Sequence, residues 1–319
     1  MKQYLLLYSV LMVVLLPCVL INILSIEKEN NNEMIYNARE NEYHTIEVLD
    51  GEHVRKMKLD EYIVGVVLGE IPDNFEMNAI KAQAVAARTY TLRRVNLDLK
   101  HDNADVCTNH ACCQAFSDPS TCKNQEYLQK VWDAVRETSG QVLLYNDLPI
   151  EATYFSCSGG KTEDAVAVWG RDVPYLRSVE SPGEEAAAYY EYTFEYSRKE
   201  FLALLGLPDH LLLYNDSVEL IYTNGGGVDR MIIGGEEFVG KQLREILNLP
   251  STAFSLEFKQ DKVIITTRGN GHRVGMSQYG AEAMAVSGST YYEILMHYYP
   301  GTELVTLSKN QMQAVFDKV

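Results

Sequence analysis

From Tyr4 to about Leu24 nearly every position is apolar, with Lys2 ahead of the run and Glu27 and Glu29 behind it. Such a run is long enough to cross a bilayer as a helix. A basic residue before it and acids after it predict an N-in orientation, with everything past residue 26 outside the cytoplasm. The run exceeds a secretory h-region and has no small-residue cleavage site at its end, so an uncleaved anchor over 1–26 is expected rather than a removed signal peptide. Cys18 follows a proline and is followed by further apolar residues, which argues against a lipoprotein signal. Residues 27–43 are Asn- and Glu-rich without apolar period and read as a linker. The remaining stretch, 44–319, is expected to be one extracytoplasmic domain.

Within that stretch the periodicity changes repeatedly. Thr45–Leu49 and Val54–Leu59 flank Asp50-Gly51, a hairpin signal. Asp60–Leu68 is apolar and β-branched, and a short helix running into Gly69 is expected. Pro72-Asp73-Asn74 breaks the chain. Glu76–Asn96 then reads as a buried helix, with Asn74 as its N-cap and apolar positions at Ile80, Ala84, Ala87 and Leu92. Residues 97–125 show no clear period and are expected to be a loop. A helix over Glu126–Ser139 ends at Gly140. A second hairpin is predicted for Gln141–Tyr145 and Ile150–Phe155, and Val168–Val179 reads as irregular. Downstream, a short helix over Arg198–Leu205 is opened by Ser197, and strands are predicted at Val218–Thr223, Val228–Ile233 and Glu236–Val239. A helix at Gly240–Leu247 and a hairpin of Phe254–Lys259 with Val263–Arg268 follow. Two further helices, about Ser277–Ala285 and Tyr291–Tyr298, close the domain. Helices and hairpins are intermixed rather than alternating as βαβ units, so the fold class is α+β, with helices and antiparallel hairpins behind the N-terminal helix.

Composition narrows the partners. The chain has 319 residues, 46% of them hydrophobic, and a formal charge of −16. That balance excludes nucleic acid as the main partner, because phosphate binding needs clustered Lys and Arg. Twenty-one Tyr against two Trp suit amphipathic and carbohydrate-facing surfaces, although a half-buried sheet position is the better account of any one of them.

Three constellations could carry chemistry. Glu70 sits in a Gly-Glu-X-Pro turn just ahead of a buried helix, where partial desolvation would raise its pKa and keep it protonated for general-acid work; Arg88 lies on that helix. His101, Cys107 and Cys113, with His110 and Cys112 in the same loop, offer zinc donors, three of them leaving a fourth position open. Disulfide pairing is the alternative in an extracytoplasmic domain. Five cysteines follow residue 100, so at least one thiol stays unpaired within the chain. Finally, GNGHRVGMSQYGA over 269–281 resembles a ligand-cradling loop at a helix N-terminus, with His272, Ser277 and Gln278 in it; a tight structural turn is the plain alternative. It lacks the Gly-Lys-Ser/Thr ending of a P-loop and any nucleophile elbow.

Taken together, GEIP at 69–72, KAQAVAARTY at 81–90, SGGKTED at 158–164, Trp169-Gly170 and GHRVGMSQYGA at 271–281 closely resemble the stage II sporulation protein D family over about residues 45–300. The resemblance implies a lytic transglycosylase that cuts peptidoglycan glycan strands, preferably peptide-free, between N-acetylmuramic acid and N-acetylglucosamine. It further implies action during forespore engulfment, in the space between mother cell and forespore, with the sporulation proteins P and M. On the same basis Glu70 falls at the catalytic glutamate and Arg88 at its associated arginine. Lys161, His272, Ser277, Gln278 and Tyr279 are expected to bind substrate. The zinc site of clostridial-type members maps onto His101, Cys107 and Cys113, which implies Zn2+. A membrane attachment through residues 1–26 fits the family, and a homodimer is left open. Arg273, where the family motif has Gly, and Ile71, where it has Met, are departures, and Arg273 is expected to alter the edge of the cleft. A glycan-binding enhancer of a cell-wall amidase is the rival reading. A zinc amidase is a weaker one, because the loop lacks a carboxylate-rich ligand set.

Overall fold

The computed structural model describes residues 45–97, 100–308 and 310–312. The expected anchor over 1–26 and linker over 27–43 lie outside them. Among the described residues no helix is long and apolar enough to cross a membrane.

The first hairpin is β1 (Thr45–Asp50) and β2 (His53–Lys58), closed at Gly51, whose φ of 61° suits the turn. Helix α1 (Leu59–Glu70) begins directly after β2. It continues two residues past the end of the apolar run, so Glu70 is its last residue rather than part of the turn. Helix α2 (Met77–Leu97) follows. Asn74 does not cap it; the Glu76 amide at its start donates instead to the Glu282 carboxylate at 2.7 Å. Ala79, Ala82, Ala84, Ala86 and Ala87 are almost wholly buried. These small side chains let α1, α3 (Gln125–Glu137), β4 (Gln141–Tyr145) and two C-terminal helices pack around α2, where each fully buried Ile, Leu or Val contributes about 1.5–3 kcal/mol.

The loop expected over 97–125 contains a strand, β3 (Val106–Cys107), parallel to β1. The second hairpin is shorter than predicted. Within it β4 pairs with β5 (Leu148–Pro149), and β6 (Tyr154–Phe155) leaves to pair in parallel with a strand at 276–277. Strand β7 (Gly160–Lys161) is followed by α4 (Ala165–Trp169), a short helix that runs into the stretch read as irregular, and by β8 (Glu180–Ser181).

A second core is built from 191–268. Strand β9 (Glu191–Ser197) and α5 (Arg198–Leu204), capped by Ser197, come first. Then come β10 (Val218–Tyr222), β11 (Val228–Ile233) and β12 (Glu236–Val239), followed by α6 (Gly240–Ile246), β13 (Phe254–Lys259) and β14 (Lys262–Arg268). The order β13-β14-β9 faces β10-β11-β12 across Phe201, Met231, Leu243, Val263 and Ile265. The chain then returns to the first core through β15 (Met276–Ser277), α7 (Gln278–Val286), α8 (Tyr291–Tyr298) and β16 (Glu303–Thr306), the last antiparallel to β4. The architecture is α+β, as the sequence predicts. Sequence reading missed β9, although Tyr192, Phe194 and Tyr196 alternate as a strand requires, and it missed β16.

Candidate active site and metal centre

Glu70 is placed by close packing. Gly65 and Gly69, one turn apart on α1, leave room for Phe116 to cross the helix. A Cβ on Gly65 would collide with the Phe116 ring, and one on Gly69 would lie 2.9 Å from its backbone nitrogen. Phe116 stacks on Tyr62 with ring centroids 5.7 Å apart. This brings the Ala115 amide to the carboxylate, where it donates to Oε1 at 2.7 Å. Gln278, the first residue of α7, donates from Nε2 to Oε2 at 3.3 Å. Burial raises the Glu70 pKa, and these two hydrogen bonds oppose it only in part. A carboxylate at a helix C-terminus also faces the negative end of the dipole. The carboxyl opens on a cleft of about 580 Å³ that is also lined by Tyr154, His272, Trp169 and Glu151.

The far wall is built on His272. Its Nδ1 accepts from the Val274 amide at 3.1 Å, and its ring lies 5.6 Å from Phe155 and 5.4 Å from Trp169. Burial, then the nearby Arg244 charge, push its pKa down to about 4, against a backbone hydrogen bond to Tyr154. His272 is therefore a neutral ring at pH 7, unsuited to acid catalysis there. Tyr154 donates to Gln114 Oε1 at 2.8 Å, and Gln114 Nε2 donates to Thr91 on α2 at 3.0 Å. Glu151, the other carboxylate of the cleft, is ion-paired to Arg94 at 3.5 Å and Arg171 at 2.8 Å.

His101, Cys107, Cys112 and Cys113 present ligand atoms that all lie within 4.8 Å of one another. Metal bonds of about 2.3 Å to sulfur and about 2.0 Å to nitrogen, set tetrahedrally, require S···S of ~3.8 Å and S···N of ~3.5 Å. The observed Cys112–Cys113 separation is 4.0 Å, and the two sulfurs lie 3.7 and 3.5 Å from His101 Nε2. The donors fit a zinc-sized ion. They number four rather than the expected three, so no position is left open. All five described cysteines are unpaired. The metal loop also runs straight into the site, since Cys113, Gln114 and Ala115 are consecutive and the last two bind Tyr154 and Glu70.

Other expected residues lie elsewhere. Arg88 is fully buried and does not line the cleft. It donates to the Thr138 and Val135 carbonyls at 2.9 and 3.1 Å and meets Asp60 at 3.4 Å, tying α2 to α1 and α3. Replacing Arg88 with Met leaves Asp60 buried without its partner and is expected to cost about 3–5 kcal/mol, read by urea denaturation. An Arg88→Met protein that kept full stability but lost activity would contradict this structural role. Lys161 pairs with Glu180 at 3.3 Å. Ser277 is buried as the cap of α7, and Tyr279 packs edge-on against Phe75 at 5.3 Å. Of the expected substrate residues, His272 and Gln278 are the two that stand at the site. Arg273 does not shape the cleft edge. It has a φ of 64°, the conformation glycine takes readily, and turns inward to bind the carbonyls of Ser158, Lys161 and Gly225 and the buried carboxylate of Glu163. The SGGKTED motif is likewise held from within, by Glu184 accepting from Ser158 and Gly159. Sequence reading missed Tyr154, Gln114 and Glu151, which no local pattern marks; the Cys112-Cys113 pair was the signal for the fourth metal donor.

A family model described as "Stage II sporulation protein" matches residues 50–145. The chain is 38% identical over 263 residues to stage II sporulation protein D of Bacillus subtilis (strain 168), covering 79% of this chain and 76% of that protein. It is 37% identical over 261 residues to the protein of the same name from Bacillus amyloliquefaciens, covering 79% and 75%. An amidase enhancer of Bacillus subtilis (strain 168) is 26% identical over 303 residues, covering 76% of this chain and 40% of the enhancer.

Proposed function

Since the chain belongs to the stage II sporulation protein D family, a family of sporulation, we propose that it is a peptidoglycan lytic transglycosylase whose acid and base is Glu70. The observation that carries this reading is a buried carboxyl with a raised pKa, hydrogen-bonded by Ala115 and Gln278, opening on a cleft of about 580 Å³. The protonated Glu70 gives its proton to the oxygen linking N-acetylmuramic acid to N-acetylglucosamine. As carboxylate it then takes the proton of the muramic acid C6 hydroxyl, whose oxygen closes on C1 to form a 1,6-anhydro ring. No water is consumed, so one carboxylate suffices where hydrolysis normally wants two. Glu151 is engaged by two arginines and is not free to serve as the second. Ala115 and Gln278 favour the carboxylate formed in the first half, and the apolar faces of Phe155, Trp169 and neutral His272 offer a stacking wall for sugar.

His101, Cys107, Cys112 and Cys113 would hold Zn2+, and a closed set of four supplies a crosslink for the loop rather than Lewis-acid chemistry. In the same proposal the apolar run over residues 1–26 anchors the protein in the membrane and its work is shared with the sporulation proteins P and M.

The likeness to an amidase enhancer supports a second reading, a glycan-binding domain that does not cut. Peptide-free glycan strands incubated with the protein alone separate the two. Shortened chains with anhydro ends by mass spectrometry are expected, and intact strands after prolonged incubation at enzyme excess would leave the binding reading.

A further inference from the structure

The protein carries a formal charge of −16, yet Arg94, Lys100 and Arg244 line its cleft beside Glu70 and Glu151. These three cations are not equivalent. Arg94 is paired with Glu151, and Lys100 donates to the Cys112 carbonyl. Arg244 stands on α6, in the second core, and its Nε donates to the Leu249 carbonyl at 3.3 Å. Its two terminal nitrogens make no hydrogen bond or ion pair among the described residues. Glu245, its neighbour on the helix, attracts it only at a distance, and burial pushes the Arg244 pKa below its ordinary value. An arginine remains charged there regardless. Its charge is felt across the cleft wall, where it helps hold His272 neutral.

A partly desolvated guanidinium with a free outer edge has lost hydration that nothing in the protein replaces. A planar carboxylate, accepting from both terminal nitrogens, is the group that best restores it. We propose that Arg244 is the specificity residue of the cleft and takes the free lactyl carboxylate of an N-acetylmuramic acid residue in the bound strand, an assignment that rests on the glycan reading above. The lactyl carboxylate is an anion only where no peptide is attached; with a stem peptide it is a neutral amide. Arg244 therefore favours the free lactyl acid over an amide at that position.

The test uses Glu70→Gln protein, which binds without turnover, titrated calorimetrically with a tetrasaccharide of alternating N-acetylglucosamine and N-acetylmuramic acid and with its lactyl carboxamide twin. The acid is expected to bind at least tenfold tighter than the amide, with the gap narrowing as salt rises, and Glu70→Gln/Arg244→Gln protein is expected to bind both alike. Equal affinity for acid and amide in the parent overturns the proposal without any change at Arg244, so misfolding of the double variant cannot shelter it. Binding of neither sugar overturns it, as does a tenfold preference retained by folded double variant. If wild-type protein binds with the expected preference but releases no anhydro ends, the cleavage reading falls and the Arg244 assignment stands.

Discussion

Glu70→Gln protein should lose glycan cleavage by about two to four decades, the usual contribution of a positioned acid and base, while unfolding at no lower denaturant concentration than wild type at pH 7. The two halves of this expectation have one cause. Burial raises the Glu70 pKa above its unfolded value, so the native state holds its proton more tightly than the unfolded chain does. The stability this contributes is fully present below the unfolded pKa and is lost as pH rises through the native one. Wherever the carboxylate is ionised it is thus a burden on the fold, and a neutral amide of the same shape carries none. Gln keeps an acceptor for the Ala115 amide but can neither give nor take the proton. Activity measured against pH should fall on the alkaline side as the acid form disappears, at a pH above that of an exposed glutamate. A Glu70→Gln protein that releases anhydro ends at near the wild-type rate sinks the assignment. One that is inactive but markedly less stable would mean that Glu70 serves the fold.

Removal of the metal should be the largest stability effect in the molecule. Closed thiolate sites bind zinc with apparent energies of about 10–16 kcal/mol in small domains, against total stabilities of about 5–15 kcal/mol. Elemental analysis of the purified protein is expected to give one zinc per chain. Chelation should lower the unfolding midpoint by about 10–20 °C, equivalent to about 5 kcal/mol at ~2–4 °C per kcal/mol. Cys112→Ser should lower the midpoint in the same way, because Cys112 completes the four donors. Thiol alkylation of Cys107, Cys112 and Cys113 should become complete only after chelation. Activity should fall with the fold, because the same loop carries Gln114 to Tyr154 and the Ala115 amide to Glu70. A Cys112→Ser protein with full zinc content and an unchanged midpoint would return the centre to three protein ligands and an open position.

Much of the local structure could be read along the chain, for reasons that are themselves local. Asp50-Gly51 closes a hairpin because glycine accepts a positive φ. Ser197 and Thr290 cap helices because their hydroxyls accept from amides three residues on. The helix Tyr291–Tyr298 follows from its capping box and apolar period. The parallel pairs β1–β3 and β6–β15 were not readable, because parallel partners lie far apart in sequence and no turn announces them.

The site divides along the same line. By itself the sequence determined a glutamate ahead of a proline break, a His- and Cys-rich loop after the alanine-rich helix and a glycine-rich segment downstream, since each rests on residue type and short spacing. The tertiary structure alone decided what each one meets. It set Gln278 against Glu70 across 208 positions and made Cys112 the fourth donor. It turned Arg88 and Arg273 into buried ties rather than walls of the cleft and put Arg244 among its lining. The reason is that charge, desolvation and hydrogen-bond partnership belong to the space around a side chain, and that space is filled by elements far away in the sequence.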